Sequence, residues 1–319
     1  MLVIDWFSPP NHRNFSKAFF TALSEIHFSE YIVFDERLLL QEVKSSFLEA
    51  PASRFRRALF VIILVFKARK KKILLLTYDP LYLPLILIFK SDLIVYEHNT
   101  TPEEKDYLKS IWQILFFKRV LRLAQFLGQY RRLLDLRQKV VYLGSPLYIL
   151  NSVYSNEHEK DLFIIPSARS VLNYLEKYNH IFKGEKILAK NNGVANFSPK
   201  EVDLMFKDRL ELFYDSLPIK GILVSIDSYI RGTGWFNEAI SNQIPLLVMN
   251  NESKVIFEET FPKFPFIYLE DIGNKTELFE RLSQLRDYKD NRAYILRHNK
   301  TIQLRFVKHL GVKGTEDAI

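Results

Sequence analysis

Short runs of Leu, Ile and Val recur along the whole chain, separated by longer segments with helical spacing. This alternation constrains the chain to parallel sheets covered on both faces by helices. In the first half the strand-like runs fall at residues 2–7, 31–34, 72–77, 93–97, 124–127 and 139–143. Helical segments are predicted at 15–26, 52–67, 81–89, 103–121 and 130–136. Several of the strand-like runs are continuously apolar, as strands buried on both faces are. Residues 144–158 are polar and turn-rich, and the domain boundary is placed there. A second series then begins, with strands predicted at 162–166, 186–189, 221–225, 246–249 and 266–269. Its helices are predicted at 170–178, 199–216, from about 235, 254–261, 276–285 and 291–308. The expected fold class is therefore α/β, with two Rossmann-like β/α/β domains over residues 1–150 and 151–319. A ligand would sit outside the carboxyl ends of the strands, in a cleft between the sheets.

Composition narrows the chemistry. The 319 residues include no cysteine, which excludes disulfides, thiolate metal sites and a cysteine nucleophile. Of the 10 glycines none precedes Gly128, so the first half has no dinucleotide fingerprint and no Walker A loop. Any glycine-built phosphate cradle must lie further on. The net charge of +8 comes without a zinc finger, an RNP-like motif or a long basic arm, and nucleic acid is not expected as a partner.

The apolar runs at 58–66 and 81–89 fall well short of the roughly 20 residues that a spanning helix needs, and read as core segments. The chain enters a strand-like run directly after Met1, so no secretory signal is expected. Arg54, Arg56 and Arg57 precede the first apolar run, and Lys67 and 69–72 follow it. Residues 107–139 repeat the pattern, with apolar 111–117 followed by Lys118, Arg119, Arg122, Arg131, Arg132 and Arg137. Two readings stand: peripheral contact with an anionic membrane, or helices with one core face and one solvated basic face.

Polar loops at predicted strand ends carry the candidate chemistry. After the strand ending near 225, Gly232, Thr233 and Gly234 open a helix, with Arg231 beside them and Glu238 one turn further on. Amides at a helix N-terminus suit a diphosphate, Arg231 adds a charge-assisted bond, and Glu238 accepts from sugar hydroxyls. The alternative is a tight turn followed by a carboxylate favoured by the helix dipole. Ser228 and Tyr229 either line the same pocket or are ordinary loop residues.

The run from Arg231 to Pro245, with Glu238-Ala239 before that proline and an apolar strand after it, resembles the C-terminal signature of GT-B nucleotide-sugar glycosyltransferases of the bacterial surface-polysaccharide type. The resemblance implies that Glu238 holds the donor ribose and that the glycine turn lies near the diphosphate. Retaining members often carry a second glutamate eight residues earlier, where this chain has Ile230, so the stereochemistry stays open. More loosely, the resemblance extends over the whole chain, with a last helix packing back on the N-terminal domain. It implies that Asn11, His12 and Arg13 meet the acceptor together with Glu97 and Asn99, and that Arg169 meets the donor phosphates. His98 is then the first candidate for general base, because a neutral imidazole accepts a hydroxyl proton near pH 7. Asp79, before Pro80, is the competing base, and either residue could instead only cap a turn or helix.

No D-x-D occurs, and the 7 histidines are scattered without metal-ligand spacing, so no cofactor or metal is expected. The expected activity is sugar transfer from a nucleotide donor to a saccharide or lipid-linked acceptor, in the cytoplasm or at the inner face of its membrane. The rivals are a noncatalytic binding or scaffold protein of the same fold and a sugar-nucleotide epimerase.

Overall fold

The computed structural model of the protein describes residues 1–8, 13–41, 43–97, 100–102, 105–147, 162–166, 171, 174–190, 202–207, 219–225, 239–241, 244–286 and 291–311. The chain divides into two compact units, Met1–Tyr148 with His298–Ile319, and Ile149–Arg297.

The first unit holds a sheet in the order β3-β2-β1-β4-β5-β6-β7, every pair parallel. Its strands are β1 (Leu2–Asp5), β2 (Glu30–Val33), β3 (Ser45–Phe47), β4 (Ile73–Thr77), β5 (Ile94–Glu97), β6 (Leu121–Ala124) and β7 (Val140–Tyr142). Its helices are α1 (Arg13–Ala22), α2 (Arg54–Lys67), α3 (Leu83–Phe89), α4 (Tyr107–Phe116) and α5 (Leu127–Asp135). Strand side chains alternate between the two faces. Leu2, Ile4, Ile73, Leu75 and Val95 pack with Val61 and Val65 of α2, Leu83 and Ile86 of α3, and Phe117 just past α4. Val3, Leu74, Leu76 and Tyr96 face the other way, onto Phe19 of α1, Leu23 just past its end, and Ile302 and Phe306 of the C-terminal helix.

That helix, α8 (Asn291–Leu310), is held to the first unit by polar bonds as well. Asn299 Oδ1 accepts from the Leu147 amide at 3.0 Å, and its Nδ2 donates to the Leu147 carbonyl at 2.6 Å. Lys72 Nζ donates to the Leu310 carbonyl at 2.8 Å. Gly144 turns the chain beneath α8 at φ +100°, and a Cβ there would stand 3.2 Å from Ile302 Cγ1, so both conformation and space call for glycine.

The second unit repeats the strand order, β10-β9-β8-β11-β12-β13, again wholly parallel. It comprises β8 (Leu162–Ile165), β9 (Lys186–Lys190), β10 (Asp203–Lys207), β11 (Ile219–Val224), β12 (Leu246–Val248) and β13 (Ile267–Tyr268), with α6 (Asn251–Thr260) and α7 (Lys275–Arg286). Phe163, Ile165, Ile187, Leu223 and Leu247 of its sheet pack with Leu278 and Leu282 of α7.

Three expectations are corrected. The helix predicted at 199–216 contains β10, because the run from Asp203 to Lys207 adds to the edge of β9, and edge pairing outweighs the helical preference of Leu and Met. The helix predicted at 103–121 stops at Phe116, where the buried Phe117 and Val120 turn the chain into β6, three residues before the predicted strand. The edge strand β3 was not predicted, since its Ser-Ser-Phe sequence carries no apolar alternation.

Candidate active site

In each sheet the chain order reverses at one place, between β1 and β4 in the first unit and between β8 and β11 in the second. Crevices for ligands in open α/β sheets form there, outside the carboxyl ends of the strands.

In the first unit three polar clusters build this edge. The first closes the exit of β1. Asp5 is fully buried, and its Oδ1 accepts from the Ser8 amide at 3.0 Å and from the Thr77 hydroxyl. Ser8, at φ +43°, donates to the Asp5 carbonyl at 2.6 Å and accepts from the Phe34 amide at 2.8 Å. Burial pushes the Asp5 carboxyl up to about 6, against the opposing effect of its hydrogen bonds. The chain thus leaves β1 in a fixed direction toward the segment holding Asn11, His12 and Arg13. Arg13 is exposed at the first position of α1, whereas Asn11 and His12 lie outside the described residues.

The second cluster follows β4. Asp79 is fully buried, and its Oδ1 accepts from the Leu81 amide at 2.9 Å and from Arg54 Nη2 at 2.9 Å, while Oδ2 accepts from Arg54 Nε. Both oxygens of Asp79, the second candidate for base, are thus engaged by partners of its own chain. Asp79 sets the start of α3 and ties it to α2.

The third cluster surrounds Glu97, expected to meet the acceptor, with partners of its own chain. Glu97 ends β5 with no exposed surface, and its Oε1 accepts from Arg122 Nε at 2.6 Å and from the Tyr78 hydroxyl at 2.8 Å. Its Oε2 accepts from Thr100 at 2.7 Å and Thr101 at 3.1 Å. Arg122 also reaches Gln113 Oε1 at 2.7 Å. The Glu97 carboxyl is held below its usual range: burial opposes this, but the Arg122 charge and the hydrogen bonds outweigh it. Arg122, expected in a basic surface series, is therefore a core residue of β6. One sequence signal pointed to it, a lone arginine inside the strand Leu-Arg-Leu-Ala, which a sheet buried on both faces can hold only beside an acid. The clamp fixes the chain on both sides of His98 and Asn99, which themselves lie outside the described residues.

In the second unit β8 and β11 are parallel neighbours, so Ile165 and Val224 bring their carboxyl ends to the same sheet edge. The donor candidates follow these two ends in sequence, Arg169 after β8, and Ser228, Tyr229, Arg231, Gly232, Thr233, Gly234 and Glu238 after β11. All of them lie outside the described residues. Among the described residues there is no cluster of three or more His, Asp or Glu side chains placed to hold a metal ion.

Two wholly parallel sheets with the same strand order, and the last helix returned to the first, define the GT-B fold of nucleotide-sugar glycosyltransferases. Two solved structures carry this likeness. HepE of Anabaena, crystallised with UDP and glucose, is similar over 97% of this chain and 98% of its own, at 10% identity and a TM-score of 0.53. A glycosyltransferase of Rickettsia africae is similar over 97% of each chain, at 12% identity and a TM-score of 0.50. No protein-family model and no curated protein sequence matches the chain.

Proposed function

We propose that the protein is a glycosyltransferase that moves a sugar from a nucleotide donor, held by the second unit, to a hydroxyl of a saccharide or lipid-linked acceptor held by the first. The observation that carries the reading is the neighbouring pair β8 and β11, whose carboxyl ends lead directly into the segments of Arg169 and of the glycine turn with Glu238. The fold shared with HepE, whose crystals contain UDP and glucose, supports it.

In this reading Glu238 accepts from the donor ribose, while Arg231, Arg169 and the amides of Gly232, Thr233 and Gly234 hold the diphosphate. As the bond between the sugar and the diphosphate breaks, its electron pair leaves with the phosphate oxygen, whose charge falls to these same groups. The acceptor oxygen forms the new bond to the anomeric carbon and passes its proton to His98. The engaged oxygens of Asp79 favour His98 as the base. With diphosphate charge met by arginine and amides, turnover needs no divalent ion. The testing variant is Glu238→Ala, which loses nucleotide binding in this account.

A noncatalytic reading has one observation in its favour: Asp79 and Glu97, the two acidic candidates within the described residues, are both buried in ion pairs. That reading requires the parent to transfer no sugar, so that His98→Ala has no activity to remove.

A further inference from the structure

Helix α2 is apolar on its outside as well as its inside. Ala58, Val61 and Val65 face the sheet, while Phe55, Leu59, Ile63 and Phe66 are exposed. The same holds for α3, where Ile88 is 73% exposed, and for α4, where Leu108 is 85% and Leu115 65% exposed. The three outer faces are continuous. Phe66 and Phe89 meet edge to face at 5.7 Å across α2 and α3, and a shallow groove between α3 and α4 is lined by Leu87, Ile88, Leu115 and Phe116. An apolar surface of this extent needs an occupant, since exposed patches on isolated domains stay small.

Charge identifies the occupant. From residue 53 to residue 72 every charged side chain is Arg or Lys, and residues 107–122 likewise contain no carboxylate. The sheet topology sets these charges at the two ends of the apolar face. α2 precedes β4, so Arg56 lies at the carboxyl edge of the sheet, while Lys67, Arg69 and Lys70 lie at the amino edge, as do Lys118 and Arg119 between α4 and β6. Arg69 stacks over the Phe66 ring at 4.5 Å, with a cation directly bordering the apolar surface. Apolar side chains flanked mainly by Lys and Arg, the exposed Asp92 among them being paired with Lys90 at 2.8 Å, match acyl chains beneath anionic headgroups. A second copy of this chain would set this largely positive border against its own.

We propose that the outer face of α2, α3 and α4 docks on an anionic lipid bilayer, with Leu59, Ile63, Ile88 and Leu115 among the acyl chains and the flanking Arg and Lys side chains at the phosphates. The helices then lie in the membrane plane, and the carboxyl edge, where Arg54 meets Asp79, borders the lipid surface. The docking does not depend on the donor reading, because binding to vesicles requires no nucleotide.

The test is co-sedimentation with vesicles of phosphatidylcholine alone and of phosphatidylcholine with phosphatidylglycerol, using the full chain and the variant Ile63→Glu/Ile88→Glu/Leu115→Glu. All three side chains are exposed, so the variant keeps the melting temperature of the parent. The parent binds the anionic vesicles, releases from them as salt rises, and binds the neutral ones at least tenfold more weakly, each basic residue contributing about fivefold. The variant loses at least tenfold. A second variant, Arg69→Ala/Lys70→Ala, weakens binding to anionic vesicles only. Three results overturn the proposal: the parent fails to sediment with anionic vesicles at low salt, the triple variant binds as the parent does, or the parent is a dimer that the triple variant dissociates.

Discussion

Arg122 donates from Nε to Glu97 Oε1 at 2.6 Å with neither side chain exposed to solvent, and this pair holds the end of β5 against β6. Removing one partner strands a buried charge. Glu97→Gln or Arg122→Met therefore destabilises the protein by about 3–5 kcal/mol, whereas the double variant costs less than the sum of the two. Urea denaturation of the four proteins measures the coupling, and additive losses would show that the pair does not act as a unit.

Two buried groups oppose one another in the pH dependence of stability. Asp5 titrates at about 6 in the folded protein against 3.8 unfolded, so its contribution is full below 3.8 and is lost as pH rises through 6, a change of about 3 kcal/mol. His298, whose Nε2 lies 2.8 Å from the Ser145 carbonyl, is lowered to about 4, first by burial and then by the Arg305 charge. Its contribution is present above 6.5 and is lost as pH falls through 4. Over the shared window the two slopes nearly cancel. Asp5→Asn keeps the shape and an acceptor for Thr77 and Ser8, so it raises stability above pH 6 and leaves the His298 slope exposed. Denaturation midpoints from pH 4 to 7 then climb more steeply in Asp5→Asn than in the parent. An unchanged slope would contradict this account.

Asp79 and His98 separate in kinetics. Asp79→Asn releases Arg54 and lowers the melting temperature, with kcat retained within about twofold. His98→Ala lowers kcat by about 10²- to 10⁴-fold at an unaltered melting temperature, the range expected for loss of a general base. The reverse pattern would make Asp79 the base.

Transfer activity persists in chelator. Loss of turnover in EDTA, restored by a divalent cation, would remove the assignment of diphosphate charge to Arg231 and Arg169.

The β/α alternation was readable because strands buried on both faces leave continuous apolar runs, and β1, β4, β5 and β8 began within a residue of where those runs place them. β3 and β10 were not readable. Both are edge strands, as β7 and β13 are, but β3 is Ser-Ser-Phe with no apolar run and the Leu-Met-Phe of β10 lies in a stretch with helical spacing, so only pairing to a neighbour makes them strands. The polar residues at strand ends were visible as a set, but not their partners. Glu97 and Asp79 stand out as acids at strand ends, yet the arginines that engage them are 25 residues away in each case. The apolar outside of α2, α3 and α4 was half legible, since Ile63 and Ile88 look like core residues until the sheet occupies the opposite face of each helix.

The central claim, a nucleotide-sugar site built on β8 and β11, is tested most directly by thermal shift of the parent and of Glu238→Ala against UDP, GDP, CDP, ADP and CMP. A nucleotide at 100 times its dissociation constant stabilises the folded protein by about 2.7 kcal/mol. One nucleotide of the panel is predicted to raise the melting temperature of the parent and to leave that of Glu238→Ala unmoved. No response of the parent to any of them, or an equal response from the variant, would contradict the site.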